Sequence, residues 1–332
     1  MYEFIIGIDV SKDFFDVSYY SNHDAIYLGQ YVNSSSGFAK SIEDLKTKTE
    51  LACSKWFICF ENTGVYSKSL LEWLISKQIN CREENPMQIH KSQGIRRGKN
   101  DKADSKVICL YAYRRRDSIQ PTKLERPIIT ALKKLLSRRY LLVRQRTALI
   151  NSLSEQKKLL DQDLLELFEN QNIELILIYS SQIKEIERRI KALMRENEPM
   201  NRNNQLAQSV VGIGPITGAY IIAFTDNFNS FHQSRKFASY TGIAPFLHNQ
   251  SGNKSGDSRV SQMANKRIKS LLSNGVNSAI QWDPEIRMYY ERKISEGKEK
   301  GVVINAIKNK LIHRVFSVID RQTPYVKSKY YT

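Results

Sequence analysis

The chain predicts an α/β domain on a mixed sheet, then a helical coiled-coil region, then a mostly helical C-terminal domain with a helix-hairpin-helix-like motif. Three observations carry that reading. Short runs of β-branched and aromatic residues crowd the first 35 residues; helix-like and strand-like segments then alternate; and beyond Pro121 and Pro127 the apolar spacing turns into heptads. The expected divisions are 1–125, 126–200 and 201–332.

EFIIGIDV, FFDVSYY and AIYLGQYV read as three strands of a meander, separated by Ser/Asn/His/Asp and Ser/Gly clusters. GFAKSIEDLKTKT reads as a helix and WFICF as the fourth strand. Tyr66 to Lys77 forms a helix with Leu70, Leu71 and Leu74 on one side, and INCREE a short strand. Pro86 starts another helical stretch, and a further helix spans Asp101 to Arg115. Three strands followed by alternating helix and strand is the element order of a ribonuclease-H-like sheet.

In the second region, alternating steps of four and three residues run through Leu132, Leu136, Arg139, Val143, Arg146, Ile150, Leu153, Lys157 and Leu160. A second seam joins Ile176, Tyr179, Ile183, Ile186, Ile190 and Leu193. These fit an antiparallel helical hairpin, an intermolecular coiled coil, or two amphipathic helices packed on their own domain. ENEPMNRNNQ, at 196–205, reads as a linker. Beyond it, Gly212, Gly214 and Pro215 stand between an apolar turn and a helix of small residues, as in a helix-hairpin-helix whose backbone N–H groups meet a phosphate. A plain Gly/Pro turn between packed helices fits the same residues.

Lys plus Arg total 51 against 34 Asp plus Glu, a net charge of +17, which points to a polyanion and first to nucleic acid. No apolar stretch approaches the roughly 20 residues that span a bilayer, and MYEFIIGIDV lacks the basic start and cleavage site of a signal peptide, so no membrane partner and a cytoplasmic location are expected. Cys53, Cys59, Cys81 and Cys109 form no CxxC pair and read as reduced core thiols. Nine cations stand against two acids between Pro86 and Arg116; among them Arg96, Arg97, Lys99 and Lys102 are candidates to track phosphates, with Gly212 and Gly214. Tyr289, Tyr290, Tyr325, Tyr330 and Tyr331 punctuate a basic C-terminal stretch, where they stack on bases or anchor the tail.

The acids are more specific. Period-2 alternation sets Asp9 opposite Ile8 and Val10 in the first strand, an apolar run where a charge is costly without compensation. Glu61 ends the fourth strand, which lies beside the first in such a sheet, and Asp101 and Asp104 share one side of a helix. Taken singly, Glu61 is a loop acid and the Asp pair a helix cap and a first-turn acid. Meeting at one point, the four would hold a hard divalent cation, Mg2+ or alternatively Mn2+.

These motifs resemble the DEDD transposases of the insertion-sequence one-hundred-ten family over nearly the whole chain. Gly7-Ile8-Asp9-Val10-Ser11-Lys12 is similar to that family's opening motif. Glu61, Thr63, Gly64 and Tyr66 are similar to its E-x-T-G-x-Y pattern, and Lys99, Asp101 and Asp104 to its K-x-D-x-x-D pattern. Gly212-Ile213-Gly214-Pro215 with Thr217, then Tyr240, Gly242, Pro245, Ser251 and Gly252, resemble its C-terminal signature. Asn100 and Ser105 depart from the more usual Thr and Ala without removing a ligand.

The resemblance implies a RuvC-like domain with Asp9, Glu61, Asp101 and Asp104 as metal ligands and Ser251 as the nucleophile on a DNA phosphodiester, Ser255 being the competitor. It further implies double-stranded donor and target DNA, an element-encoded noncoding RNA, and a homo-oligomer, dimer or tetramer, whose composite site joins two subunits. A structure-specific endonuclease using metal-activated water shares the tetrad. A non-enzymatic nucleic-acid scaffold shares only the charge.

Overall fold

The computed structural model describes residues 2–92, 101–156, 161–244, 250–251, 254–255 and 264–326; Asp101, Gln156 and residues 250, 251, 254 and 255 are described by their backbone alone. Two compact units divide the chain, Met1–Glu125 and Arg126–Thr332.

In the first unit, β1 (Phe4–Val10), β2 (Phe14–Ser21) and β3 (Asp24–Val32) form the meander, followed by α1 (Ser35–Lys46), β4 (Trp56–Glu61), α2 (Val65–Ser76), β5 (Cys81–Glu84), α3 (Pro86–Ser92) and α4 (Asp101–Arg115). The sheet order is β3-β2-β1-β4-β5. β1 is antiparallel to β2 and parallel to β4, and β5 is parallel to β4. Strand alternation divides the apolar side chains between two faces. Phe4, Ile6, Ile8 and Val10 pack with Ile58 and Phe60 against Phe38, Leu45, Leu70 and Leu74 of α1 and α2. Ile5, Phe57 and Cys59 face Ile108, Tyr111 and Ala112 of α4. Because helices cover both faces, the central strands read as unbroken apolar runs, each fully buried large side chain stabilising by about 1.5 to 3 kcal/mol.

The second unit opens with α5 (Pro127–Gln156) and α6 (Gln162–Arg195). Arg139 Nε donates to Glu187 Oε1 at 2.7 Å, and Arg146 Nη1 to Ser180 Oγ at 3.3 Å. Seven residues up one helix thus correspond to seven down the other, an antiparallel hairpin within one chain. Two of the cations that interrupt the heptads are those bridging residues; Lys157 and Leu160 lie outside the described residues.

The expected linker is instead α7 (Glu198–Ser209). Asn197 caps it, its Oδ1 accepting from the Met200 N–H at 3.1 Å, Pro199 sits in the first turn, and Met200, Leu206 and Ala207 are buried. α8 (Pro215–Thr225), α9 (Ser234–Tyr240), a short hairpin of β6 (Gln250–Ser251) and β7 (Lys254–Ser255), α10 (Lys266–Trp282), α11 (Pro284–Ser295) and α12 (Lys300–Arg321) follow. Val303, Ile307, Leu311 and Val315, spaced at four, line the buried side of α12 in a core shared with Leu132, Leu136, Ile222, Phe237, Leu272 and Val276.

Candidate active site

Strand register determines what the sheet presents to α4. Asp9 pairs with Asp16 across β1 and β2, the Ile8–Phe60 pair makes Asp9 and Glu61 next in line on β1 and β4, and Glu61 pairs with Glu84. Paired residues share a face, so Asp16, Asp9, Glu61 and Glu84 form one row across four strands, on the face that packs against α4.

The two outer acids have protein donors. Asp16, 4% exposed, accepts from the Tyr27 hydroxyl at 2.7 Å and Gln30 Nε2 at 3.0 Å. Glu84 accepts from Tyr111 Oη at 3.2 Å, Arg82 Nε at 3.3 Å and the Asn85 N–H at 2.9 Å. Burial first, then the carboxylate partner, pushes the Tyr27 phenol up to about 12; burial, then the charge of Glu84, does the same to Tyr111. Asp9 and Glu61 are the half-buried central pair. Sequence reasoning missed Asp16 and Glu84; the signal was their alternation phase in FFDVSYY and INCREE, on the same face as Asp9 once the strands are in register.

Close approach of backbone positions α4 over this row. A Cβ on Gly7 would overlap the Cys109 nitrogen and lie 2.6 Å from its Cα, so only glycine admits the helix here. Cys109 Sγ donates to the Ile5 carbonyl at 3.5 Å, and Ser105 Oγ lies 2.8 Å from Ser18 Oγ, the β2 partner of Gly7. Four helical residues and two strand residues span about the same 6 to 7 Å. α4 therefore runs antiparallel to β1, and one further turn brings its first residue, Asp101, to the level of Asp9. Asp104 is half-buried in the same first turn. Ser105, the departure from alanine, supplies the buried hydroxyl pair.

The turn after Glu61 is held from several sides. The Asn62 N–H donates to the Glu84 carbonyl at 2.9 Å, Asn62 Oδ1 accepts from the Gly64 N–H at 2.9 Å, and Ser67 Oγ donates to Glu83 Oε1 at 2.7 Å. Asn33 Nδ2 donates to the carbonyls of Ser11 and Tyr66, tying the β1–β2 turn to the start of α2. Among the described residues no three His, Cys, Asp or Glu side chains are gathered as a metal would require; Asp101's side chain is not among those described.

Of the candidate phosphate contacts, Arg96, Arg97 and Lys99 lie outside the described residues, and Lys102 is exposed with its ammonium 5.2 Å from the Tyr27 ring. In the second unit Gly212 has φ +96°, and a Cβ there would overlap the Gly275 carbonyl of α10. Its immediate role is packing. Gly214 is exposed, with open space around it. Ser251 pairs with Lys254 and Ser255 with Gln250 in the β6–β7 hairpin; Pro245 and Gly252 lie outside the described residues. Beside the hairpin in sequence, Asn265 N–H and Lys269 Nζ donate to the carbonyls of Tyr240 and Gly242, both at 2.9 Å. Tyr289, Tyr290 and Tyr325 pack on the core, as anchors do, while Tyr330 and Tyr331 lie outside the described residues. No described helix is long and apolar enough to cross a membrane.

Two transposase family models match, the DEDD model of the IS110 group over residues 6–162 and the IS116/IS110/IS902 family over residues 204–291. The pilin gene-inverting proteins of Moraxella bovis and Moraxella lacunata are each 26% identical over 97% of this chain and 97% of their own. The transposase for insertion sequence element IS1111A of Coxiella burnetii is 23% identical over 97% of this chain and 91% of its own. These matches define the class, an enzyme that is a DNA transposase or recombinase. The chain belongs to the IS110 family of transposases.

Proposed function

We propose that the protein cleaves and exchanges DNA strands of an insertion sequence through a serine nucleophile, with Mg2+ held by Asp9, Glu61, Asp101 and Asp104 and a noncoding RNA as guide. The observation that carries this is the adjacency of Asp9 and Glu61 at the ends of parallel β1 and β4, with the first turn of α4 above them. The sheet order supports a ribonuclease-H-like reading of the first unit. The donor set fits a hard cation, being all carboxylate oxygen. When bound, Mg2+ or Mn2+ supplies Lewis-acid polarisation of the phosphate.

Ser251 Oγ attacks the phosphorus; the Oγ–P bond forms, the P–O bond to one strand breaks, and the departing oxygen takes up the proton. The hydroxyl of the exchanged strand then displaces the serine, restoring a phosphodiester. A net charge of +17 supports contacts to DNA and RNA phosphates, including those by Arg96, Arg97, Lys99 and Lys102, with Gly214 at the start of α8. Leu164, Leu167, Ile173, Leu177 and Ile178 on α6 are exposed aliphatic side chains, a surface that supports self-association as a dimer or tetramer.

The test is a strand-transfer assay with purified protein, the element's RNA, donor and target DNA and Mg2+, resolved on a denaturing protein gel. A protein–DNA adduct present in wild type and Ser255→Ala, and absent in Ser251→Ala and Asp9→Asn, is expected. Cleavage without an adduct, retained in Ser251→Ala and lost in Asp9→Asn, would replace the serine mechanism with metal-activated water.

A further inference from the structure

A cleft of about 320 Å3 opens in the second unit between α5, α8 and α10. Its size is at the small end of the roughly 300 to 1,000 Å3 of ligand sites. Ser137 and Tyr140 line it from α5, Phe224 from α8, and Lys266, Arg267 and Ser270 from α10. Among the described residues the lining carries two cations and no carboxylate.

The Arg267 guanidinium lies over the Tyr140 ring, 3.9 Å from its centroid, yet its buried Nε has no hydrogen-bond partner among the described residues. A buried charged donor without an acceptor is costly. The outer N–H groups of the planar guanidinium fork suit a phosphate oxygen. Tyr140 is 40% exposed, and a second ring, Phe224, is half-buried beside it with the Lys133 ammonium 5.0 Å above. Behind them Tyr220 is buried, its hydroxyl donating to the Leu136 carbonyl at 3.3 Å. On α5, Lys133, Ser137, Tyr140 and Arg144 recur at steps of four and three, continuing the cationic and aromatic stripe along one side of the helix.

We propose that this cleft takes one nucleotide of a single strand, its base stacked on Tyr140 or Phe224 and its phosphate held by Arg267 and Lys266. The width of a duplex does not fit so small a volume, whereas an unpaired nucleotide presents both the π-face and the anion that the lining matches. The inference rests on the reading that this chain acts on nucleic acid, and the strand supplying the nucleotide is DNA substrate or guide RNA.

The test uses the full chain and an oligonucleotide of iodinated pyrimidines, as single-stranded DNA in one arm and RNA in the other, with photo-cross-linking and peptide mapping. Adducts on Tyr140 or Phe224 are expected in at least one arm, and that arm identifies the strand. Tyr140→Ala should weaken binding in it by about 5- to 150-fold, the range of one base–aromatic stack. Arg267→Gln should lower the log–log salt slope by about 0.7, one phosphate contact on a single strand, and Arg267→Lys should restore the slope without restoring the affinity. Adducts confined to other segments, with both variants binding within about two-fold of wild type, would overturn the site. Strand transfer by the wild type, measured in parallel, distinguishes the two ways of failing: transfer with adducts elsewhere sinks the cleft alone, and no cleavage with adducts in the cleft sinks the proposed reaction alone.

Discussion

The backbone of Cys109 lies against Gly7, so near that any side chain at position 7 would occupy the helix itself. This contact sets the height of α4 above the row of acids. Gly7→Ala should cost about 3 kcal/mol, at the upper end of overpacking in a closed core, and should lower strand transfer further than the stability loss explains. Urea unfolding and transfer rates, compared at a temperature where the variant stays folded, check it.

Position within the row separates structural acids from chemical ones. Asp16→Asn keeps an oxygen for the Tyr27 hydroxyl and should leave cleavage within about 10-fold of wild type, whereas Asp9→Asn should lose about 1,000-fold or more, several kcal/mol of barrier. Equal losses in single-turnover cleavage by the two variants would refute the division.

Gly212 and Gly214 share a motif and differ in surroundings. Gly212→Ala meets both a positive φ and the Gly275 carbonyl, and should cost about 2 to 4 kcal/mol. Gly214→Ala faces open space and should change stability by less than about 0.5 kcal/mol while weakening nucleic-acid binding. Melting curves and filter binding of the pair distinguish a packing glycine from a contact one.

Asp283 performs two tasks, capping α11 through the N–H groups of Glu285 and Ile286 and pairing with Arg314 at 2.6 Å while only 3% exposed. Asp283→Ala should cost about 2 to 4 kcal/mol, because the cap is lost while Arg314 keeps Glu285 as a partner at 2.7 Å. Asp283→Asn retains the cap and should cost less than the alanine variant, as read by denaturant midpoints at constant slope.

Alkaline pH should loosen the first unit. Burial holds the Cys81 and Cys109 thiols up to about 12, and burial with a carboxylate neighbour does the same for Tyr27 and Tyr111. These groups stay protonated in the folded chain where the unfolded chain has ionised, so stability is full below about pH 9 and falls as pH rises toward 12. One thiol contributes a loss on the order of 2 kcal/mol by about pH 11. Urea midpoints at about pH 8 and pH 10.5, with Cys81→Ala as comparison, measure the slope; an unchanged midpoint would contradict the burial argument.

Elements with a strong period were legible in the sequence. Phe4–Val10 and Trp56–Glu61 announce themselves through apolar runs, and the helix that ends at Arg115 lies where the sequence expects it. α7 was not, because Pro and Asn look like loop punctuation unless Pro199 is seen as a first-turn residue behind an Asn cap. Asp16 and Glu84 escaped for a different reason: a carboxylate's neighbours across strands depend on register, which alternation within one strand cannot supply. Gly212 likewise has a local signature of a turn and a distant cause, the carbonyl of Gly275 in another helix.

The matched phase of α5 and α6 makes their hairpin a spacer adjustable in fixed increments. The arms, about 45 and 51 Å long, can each lose or gain seven residues, about 10 Å, and still bring a cation on one helix opposite its partner on the other. A paired change between the two bridges that is far from a whole number of turns would rotate Arg146 away from Ser180 while Arg139 faces Glu187. An engineered chain with one paired heptad removed should stay folded while its reach contracts by that single step.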